Sequence, residues 1–388
     1  MNPNPRPVLT ADGDVRDVNC WSNIPYHFFM AGKKAGFFDD GLAINLRKLK
    51  WPRLIWNGLA PFRGERYGGF RFTRIRNEYM ARQIDWGDVD EVLSLSPTFP
   101  SFDLMQKKDI VYSHYLDFPL RNFFVDYGMA EKIGARIARN ALARERDQLA
   151  AAKFVVCMSP WAARQVIEHY DTPAHKVHTI IPGANLPEEQ FGRSQEPEPL
   201  EPPDGKRIPL RIAFVGIAAI RKGLGRLVEA VRILRSRGFR VSVRVMGPAV
   251  NPFPDDSEIE HLGFIDKQRE PLRVMRELRT CHMGALPSYQ EAFGIAALEF
   301  LRCGLPALIT RAGGLGDSIP PDCGIIMEQN CDGGDIADAL ENLLRNPDSF
   351  ALLRQNAQAN ADYASWDRCV RDFQQLWSGQ DTPSSFAN

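Results

Sequence analysis

Two neighbouring cations give this sequence its first chemical signal. Arg221 and Lys222 follow an apolar run that ends at Gly216, and a stretch with helical spacing comes directly after them. In an open α/β sheet, ligands lie beyond the carboxyl ends of the strands, so we predict that both cations point into a ligand site. Two cations at such a place suit a diphosphate, whereas a solvated Arg-Lys pair before a helix is the simpler alternative.

Two carboxylates give the second signal. Glu291 and Glu299 lie eight positions apart in the segment Pro287–Pro306. Eight residues are a little over two helical turns, so a helix that begins near Glu291 places both carboxylates on roughly one side. Carboxylates accept hydrogen bonds from sugar and ribose hydroxyls, and free backbone N–H groups at the start of the helix would bind phosphate. The alternative is an amphipathic helix with two solvated glutamates.

The elements that must position these residues alternate between strand and helix. Apolar, β-branched runs predict strands at Leu42–Leu46, Glu91–Leu95, Ile110–Ser113, Phe154–Met158, Val177–Ile181, Leu210–Gly216, Arg240–Met246, Cys281–Leu286 and Leu305–Thr310. Helical spacing and caps predict helices from Ser159-Pro160 to about Tyr170, then at Leu224–Arg237, about Ala292–Arg302, Ile336–Leu344, Phe350–Tyr363 and Trp366–Trp377. The fold class is therefore α/β, with two Rossmann-like domains facing a central cleft.

The length and composition agree with a two-domain enzyme. The chain has 388 residues, of which 44% are hydrophobic and 25% charged, and its formal net charge is zero. A Pro- and Glu-rich stretch at 192–209 predicts a linker between a first domain at 1–191 and a second at 210–362. Residues 363–378 form a C-terminal helix and 379–388 a tail. The zero net charge argues against nucleic acid as a partner of the whole protein.

Several motifs in the sequence resemble one known family. The Pro287–Pro306 segment resembles the E-x7-E signature of family-four retaining glycosyltransferases, which share the GT-B fold. The resemblance includes the strand-Gly-loop that ends in Lys222-Gly223, the Leu262–Ile265 turn and the glycine-rich run at 312–317. It reaches back to Val156–Arg164 and Lys176–Asn185 and is weak before about Gly87.

The resemblance implies a nucleotide-sugar donor site in the second half of the chain. Lys222 would bind the donor diphosphate, Glu291 the sugar hydroxyls and Glu299 the ribose. The other members of the implied donor site are Gly216, Arg221, Gly263, Phe264, Ile265, Phe293, Gly294 and Ile295. Of these, Phe293–Ile295 would present backbone amides, and the base would lie near Gly263–Ile265. The last helix, with Trp366, would return to the first domain.

The resemblance also implies the reaction. It predicts a hexosyltransferase that moves a sugar from a nucleotide-diphosphate donor to a glycan or lipid-linked acceptor with retention at the anomeric carbon. We predict no metal, and no cofactor beyond the nucleotide sugar as substrate. His114 follows a predicted strand and resembles the acceptor-side histidine of the family, a structural histidine being the alternative.

Two positions depart from the family pattern. Ile217 stands directly after the strand glycine, where the family usually has Arg, and Asn23 stands in the early loop where Gly is common. Arg221 is the residue that could supply the missing charge. The departures keep two alternatives open: a sugar-nucleotide-binding protein with little or no turnover, and a GT-B sugar-nucleotide epimerase.

The segment Arg47–Arg82, which we call the basic-aromatic segment, mixes ten Lys or Arg residues with seven aromatic ones. Such a mixture could bind an anionic lipid carrier or a membrane surface. The alternatives are single-stranded nucleic acid, which we disfavour, and an ordinary basic surface over aromatic core residues.

The cysteines indicate a reducing compartment. Seven of them are scattered through the chain and none forms a CxxC pair. The sequence has no apolar leader at its beginning and no run of about 18 apolar residues. We therefore expect a cytoplasmic protein, and the basic-aromatic segment leaves open a peripheral contact with the inner face of the membrane.

Overall fold

The computed structural model describes residues 6–63, 68–191 and 200–379, and these form two compact units. The first unit comprises the residues up to Ile181 together with those from Cys369 onward, and the second comprises Pro182–Arg368. Within the predicted linker, residues 192–199 lie outside the described residues, as do residues 380–388 of the predicted tail. The linker and the tail therefore remain predictions.

The first unit is built on a parallel sheet. Its described strands have the order β1-β2-β3-β4-β5, with bounds Val8–Thr10, Glu91–Ser94, Val111–Leu116, Val155–Cys157 and Val177–Thr179. Leu9 pairs with Leu93 of β2, and it also forms an isolated parallel bridge to Gly41. Because a strand has two edges, Gly41 lies beside the edge of β1 opposite β2. After β1 the chain therefore passes first to one side of this strand and then to the other, so the order in which segments are added to the sheet reverses at β1.

Helices cover this sheet on both faces. They are α1 to α8, at Ile24–Lys34, Lys50–Leu59, Arg74–Ala81, Phe102–Lys108, Leu120–Val125, Met129–Ile133, Ala135–Ala151 and Pro160–Tyr170. One aromatic cluster joins Phe28 to Phe38 and Tyr115, with ring centroids 4.9 and 5.4 Å apart. Phe373 of the C-terminal helix completes it, 4.9 Å from Tyr115. The near-continuous burial of the strands is typical of a parallel sheet with both faces covered.

The second unit is a six-stranded parallel sheet in the order β11-β10-β9-β6-β7-β8 over its described residues. The bounds of β6 to β11 are Leu210–Val215, Val241–Met246, Ile259–Gly263, Met283–Leu286, Ala307–Thr310 and Gly324–Met327. β6 and β9 are neighbours through Ile212 opposite Met283. From this pair the chain builds outward in both directions, so the strand order reverses between β6 and β9.

The helices of the second unit connect these strands. They are α9 to α13, at Leu224–Ser236, Arg273–Arg279, Ile295–Arg302, Gly333–Arg345 and Pro347–Ala359. The last helix, α14 at Trp366–Trp377, begins with residues of the second unit and continues with residues of the first. No helix among the described residues is long and apolar enough to cross a membrane.

Most predicted elements agree with the structure, and one strand does not. The predicted strand at Leu42–Leu46 is wrong: Gly41 and Ala43 form only isolated bridges, and a 3-10 helix follows at Leu46–Leu49. The Asn45 side chain accepts a hydrogen bond from the Arg47 N–H at 3.0 Å, which turns the chain into that helix. The prediction omitted β1, β8 and β11. The helix predicted from Ser159-Pro160 is confirmed, since Ser159 caps α8 through the Ala162 N–H.

The seven cysteines are all free in the structure. Burial raises the pKa of the Cys20 and Cys303 thiols to about 12 in each case. Both thiols therefore stay protonated and unreactive at neutral pH.

Glu145 of α7 is buried in the first unit. Its carboxylate accepts hydrogen bonds from the Leu120 N–H at 2.9 and 3.0 Å and from the Tyr170 hydroxyl. Burial raises the pKa of Glu145 from 4.5 to about 8. The folded protein therefore keeps a proton that the unfolded chain releases.

This proton makes stability depend on pH in a defined direction. Below about pH 4.5 both the folded and the unfolded state hold the Glu145 proton, and between about pH 4.5 and 8 only the folded state holds it. The free energy of unfolding therefore falls by up to about 1.4 kcal/mol per pH unit as the pH rises through this window. We expect Glu145→Gln to flatten this slope in urea titrations across the window. The exposed Glu168→Gln is the control, and equal slopes for the wild type and Glu145→Gln would contradict the assignment.

Candidate functional site

Two loops of the second unit form the candidate site. One loop follows β6 and carries Arg221 and Lys222, and the other follows β9 and carries Glu291. β6 and β9 are parallel neighbours, so both loops leave the sheet at the same edge. The strand order reverses between these two strands, and in open α/β sheets ligands bind at this kind of position.

Three charged side chains meet between the loops. Lys222 Nζ lies 3.0 Å from Glu291 Oε2, and Arg221 Nη1 lies 3.3 Å from the same oxygen. Arg221 Nη1 also donates to the Gln290 carbonyl at 2.6 Å. The side chains of Lys222 and Glu291 are 15% and 10% exposed. Because little water lies around them, their electrostatic attraction is screened less than that of an exposed pair. The structure thus brings together three of the predicted site residues.

Two glycines allow this close approach. A Cβ on Gly216 would lie 2.1 Å from Lys222 Cδ, so the absence of a side chain leaves room for the lysine stem. Gly223 has φ +77°, and a Cβ there would lie 1.8 Å from the Pro287 carbonyl oxygen. A residue with a side chain at Gly223 would therefore strain the backbone and also push the two loops apart.

The start of α11 differs from the prediction. The helix begins at Ile295, three residues later than expected, so Glu291 lies in the loop and the shared-face argument for the two glutamates does not apply. Gly294 precedes the helix with φ +89°, and a Cβ on it would lie 2.5 Å from Leu315 Cδ1. Its backbone and packing thus require glycine independently of any ligand. Phe293 is buried beside it.

Glu299 lies inside α11 and is almost fully buried. Its carboxylate pairs with Lys267 Nζ, which also donates to the Asn185 carbonyl at 3.1 Å. The predicted ribose ligand therefore already has a partner within the second unit, and its role toward ribose remains a prediction. Sequence reasoning missed Lys267, because its 32-residue separation from Glu299 leaves no local signal.

A second missed contact holds the Glu291 loop in place. The guanidinium of Arg226, on α9, lies 3.5 Å from the ring centroid of Tyr289. The Tyr289 N–H donates to the Arg221 carbonyl at 2.9 Å. Arg226 also donates to the Gln329 carbonyl at 2.9 Å, so one buried cation ties three segments together.

The residues predicted to lie near the base follow β8. Gly263 ends the strand with φ +73°, and Ile265 is buried. Phe264, between them, is 59% exposed and follows the carboxyl end of β8. Stacking of a base on this ring remains a prediction.

His114 belongs to the first unit and lies inside a strand. β3 continues to Leu116, so the prediction that His114 follows the strand is wrong. The ring is buried with its centroid 4.7 Å from that of Tyr112, whose hydroxyl bonds to Nε2. Burial lowers the pKa of His114 to about 3, so the imidazole is neutral at physiological pH. Its acceptor-side role remains a prediction.

The first unit contains a cavity of about 170 Å³ at the carboxyl ends of β1, β2 and β3. Most of its lining is apolar or aromatic, and three of the lining residues are charged. The lining consists of Asp12, Trp21, Arg71, Phe72, Leu95, Ser96, Pro97, Leu116, Asp117, Phe118, Leu120 and Phe123. The order of the chain reverses at β1, so this cavity also lies where a ligand site is expected. Sequence reasoning gave no signal for it, since its residues come from five separate segments.

Asp12 is the charged centre of this cavity. Arg76 Nη2 lies 3.1 Å and Arg71 Nη2 3.5 Å from Asp12 Oδ2, and the Ser96 hydroxyl donates to Oδ1 at 2.7 Å. Burial opposes ionisation, but the two guanidinium groups outweigh it and hold the pKa of Asp12 below its ordinary value. Asp12 is therefore a carboxylate, and the half-exposed Arg71 keeps part of its donor capacity.

The two departures from the family pattern have local explanations. Trp21, Ser22 and Asn23 all have positive φ, and Asn23 lies in the left-handed region that glycine and asparagine tolerate best. Asn23 therefore keeps the conformation that a glycine would provide. Ile217 is 68% exposed, and the nearby Arg221 supplies a cation to the Glu291 cluster. Within the described residues, no group of three or more His, Cys, Asp or Glu side chains is placed to hold a metal ion.

The two parallel α/β sheets and the site between β6 and β9 define the class: the chain has the GT-B fold of glycosyltransferases. Sucrose-phosphate synthase from Thermosynechococcus elongatus superposes with a TM-score of 0.66, at 17% identity, covering 97% of this chain and 99% of the synthase. Anabaena Alr3699/HepE in complex with UDP-glucose superposes with a TM-score of 0.60, at 14% identity, covering 96% of this chain and 99% of that protein. The fold class predicted from the sequence is confirmed.

The sequence comparison then gives the family. Residues 196–361 match the family described as glycosyl transferases group 1. A D-inositol 3-phosphate glycosyltransferase from Corynebacterium kroppenstedtii is 29% identical over 227 residues, which are 55% of this chain and 50% of that protein. The chain spans about half the length of the first curated relatives that it matches. The family resemblance predicted from the sequence is confirmed.

The clearance at Gly216 gives a test of the site geometry. We expect Gly216→Ala to displace the Lys222 stem and weaken binding of a nucleoside diphosphate at least about tenfold, since a hydrogen bond to a charged group contributes about 1.5–3 kcal/mol. Calorimetric titration with UDP, GDP and ADP measures this. Gly225→Ala, in α9 with open space around it, is the control. Undiminished affinity of Gly216→Ala for a nucleotide that the wild type binds would contradict the role of Lys222.

Proposed function

We propose that the chain is a retaining glycosyltransferase that moves a hexose-type sugar from a nucleotide-diphosphate donor to a glycan or glycolipid acceptor. One observation carries the proposal: Arg221, Lys222 and Glu291 converge at the strand reversal of the second unit, where residues 196–361 match the glycosyl transferases group 1 family. The names of the similar proteins support a nucleotide-sugar donor, since one was solved with UDP-glucose and another is a D-inositol 3-phosphate glycosyltransferase.

The proposed reaction is a same-face substitution at the anomeric carbon. The acceptor oxygen forms a bond to that carbon while the bond from the carbon to the diphosphate oxygen breaks. The electron pair of the broken bond goes to the diphosphate, and the proton of the acceptor hydroxyl moves to the leaving diphosphate oxygen. The products are the new glycoside and a nucleoside diphosphate.

Negative charge therefore grows on the diphosphate, and the chain's own cations are suited to stabilise it. Lys222 Nζ and Arg221 Nη1 already share one carboxylate oxygen, and an arriving diphosphate would compete with that oxygen for both cations. The N–H groups that open α11 add a positive dipole end next to Glu291. Glu291 is then free to accept hydrogen bonds from the donor sugar.

Two further points belong to the proposal. The two cations do the work that a divalent metal does in other transferases, so we propose a metal-independent reaction without an added cofactor. We also propose a cytoplasmic location, because seven free cysteines suit a reducing compartment.

We propose the cavity of the first unit as the acceptor site. Its aromatic walls suit the apolar faces of a sugar ring or a lipid-linked group. Asp12 and Arg71 provide one acceptor and one donor of hydrogen bonds for the polar edge of the same molecule. The exact acceptor follows from neither feature, so glycans and glycolipids are both candidates.

Lys222 and Glu291 give the direct test of the function. We expect Lys222→Ala and Glu291→Ala each to lower the transfer or donor-hydrolysis rate at least about a hundredfold, since one such electrostatic contact contributes about 2.7–4 kcal/mol to the barrier. A panel of UDP-, GDP- and ADP-sugars with released nucleotide as the readout measures this. An excess of EDTA should leave the wild-type rate unchanged.

Lys206→Ala, an exposed lysine of the same unit, controls for the loss of a charge. Near-wild-type rates in both site variants would remove the assignment of the donor site. Binding of a nucleotide sugar without turnover would instead favour the inert binding protein, and interconversion of two sugar nucleotides without an acceptor would favour the epimerase.

The acceptor site is tested by separating two rates. We expect Arg71→Ala to raise KM for the acceptor about tenfold while slow donor hydrolysis in the absence of acceptor stays unchanged. Arg74→Ala is the control, since Arg74 pairs with Glu78 and Asp103 outside the cavity lining. An unchanged acceptor KM in Arg71→Ala would argue against this cavity as the acceptor site.

A further inference from the structure

The structure divides the basic-aromatic segment into a buried and an exposed part. Trp56, Phe70 and Phe72 are core residues of the first unit, as the ordinary surface-over-core interpretation expects. Trp51 and Phe62 are 70% and 88% exposed, so that interpretation does not account for them. Tyr67 lies outside the described residues.

The exposed part is centred on α2, a helix that is apolar on two sides. Trp56 and Ala60 are buried and attach α2 to the unit, with the Trp56 ring centroid 6.1 Å from that of Phe70. Trp51, Ile55 and Leu59 follow one another at intervals of four residues, which places them along one face of the helix. All three are exposed, as are Leu54 on α2 and Phe62 just beyond it. We call these five residues the apolar ridge.

The charged residues of α2 and of the turn before it all have the same sign. Arg47, Lys48, Lys50 and Arg53 lie on α2 or the turn before it, and the sequence has no Asp or Glu between Asp40 and Glu65. The whole chain has a net charge of zero, so this is a local concentration of positive charge. The basic residues further along pair with carboxylates instead: Arg74 with Glu78, and Arg76 with Asp12.

We propose that the apolar ridge with its four basic residues is a docking surface for an anionic lipid bilayer. An amphipathic helix that lies flat on a membrane presents Trp, Phe and Leu to the acyl boundary and Lys or Arg to the headgroups. The five ridge side chains insert below the headgroups, and the four cations contact anionic lipids at the level of the surface. Charge complementarity favours this occupant over a neutral protein surface.

The proposal goes beyond the proposed function and does not depend on it. Its residues all lie in the first unit, and none of them lines the cavity or contributes to the Lys222–Glu291 cluster. If the acceptor is lipid-linked, docking also brings the enzyme to the surface on which its substrate is held.

Vesicle flotation with the full chain tests this surface. We expect the wild type to bind vesicles of phosphatidylcholine with phosphatidylglycerol, to bind pure phosphatidylcholine at least about tenfold more weakly, and to be released by salt. The triple variant Trp51→Ser, Ile55→Ser, Phe62→Ser should lose binding to the anionic vesicles at least about tenfold. Its thermal transition should not fall, because the three side chains are exposed.

Two exposed apolar residues of the second unit supply the matched control. The variant Val250→Ser, Leu352→Ser removes apolar surface elsewhere and should bind vesicles as the wild type does. Failure of the wild-type protein to bind anionic vesicles would overturn the proposal, and so would undiminished binding by the triple variant. A dimer in sedimentation that the triple variant abolishes, without any lipid binding by the wild type, would identify a second copy as the occupant instead.

Discussion

The contact between Lys222 and Glu291 is the interaction on which the proposed donor site of the second unit depends. Two loops from neighbouring strands carry opposite charges to the same place, and the partial burial of both groups makes their separation costly. Arg221 adds a second cation to a single carboxylate, so the cluster keeps an excess of positive charge. In the proposed donor site, an arriving diphosphate would replace the shared carboxylate with a ligand of higher charge.

The two units follow one structural rule with different chemistry. In the second unit the strand order reverses between β6 and β9, and in the first unit the chain lies on both sides of β1 through the bridge from Leu9 to Gly41. Ligand sites are expected at such reversals. In the second unit the loops present more cations than carboxylates. In the first, Asp12 lies among aromatic walls and is balanced by Arg71 and Arg76. One arrangement suits a charged ligand, and the other suits a molecule with apolar faces and a few hydroxyls.

Sequence reasoning succeeded where the signal is local. β6 is an apolar run interrupted only by Arg211 and followed by Gly216, and the bounds of α14 match the prediction because its spacing and flanks are regular. It placed the start of α11 three residues too early, because the loop continues to Gly294, and it missed the contact between Lys267 and Glu299. β8 was missed because its Glu260 and His261 interrupt the apolar pattern of an edge strand. The first-unit cavity has no sequence signature at all, since its walls come from separate segments.

The missing side chain at Gly223 has a consequence for how the site can vary. The Pro287 carbonyl occupies the space in which a Cβ of residue 223 would lie. The two charged loops can therefore approach this closely only because residue 223 has no side chain. Any substitution there widens the gap between Lys222 and Glu291 without touching either residue. Position 223 therefore fixes the distance between the two loops. A chain that binds a bulkier anion could arise by substitutions elsewhere in these loops, but not by a methyl group at position 223, which would separate Lys222 from Glu291.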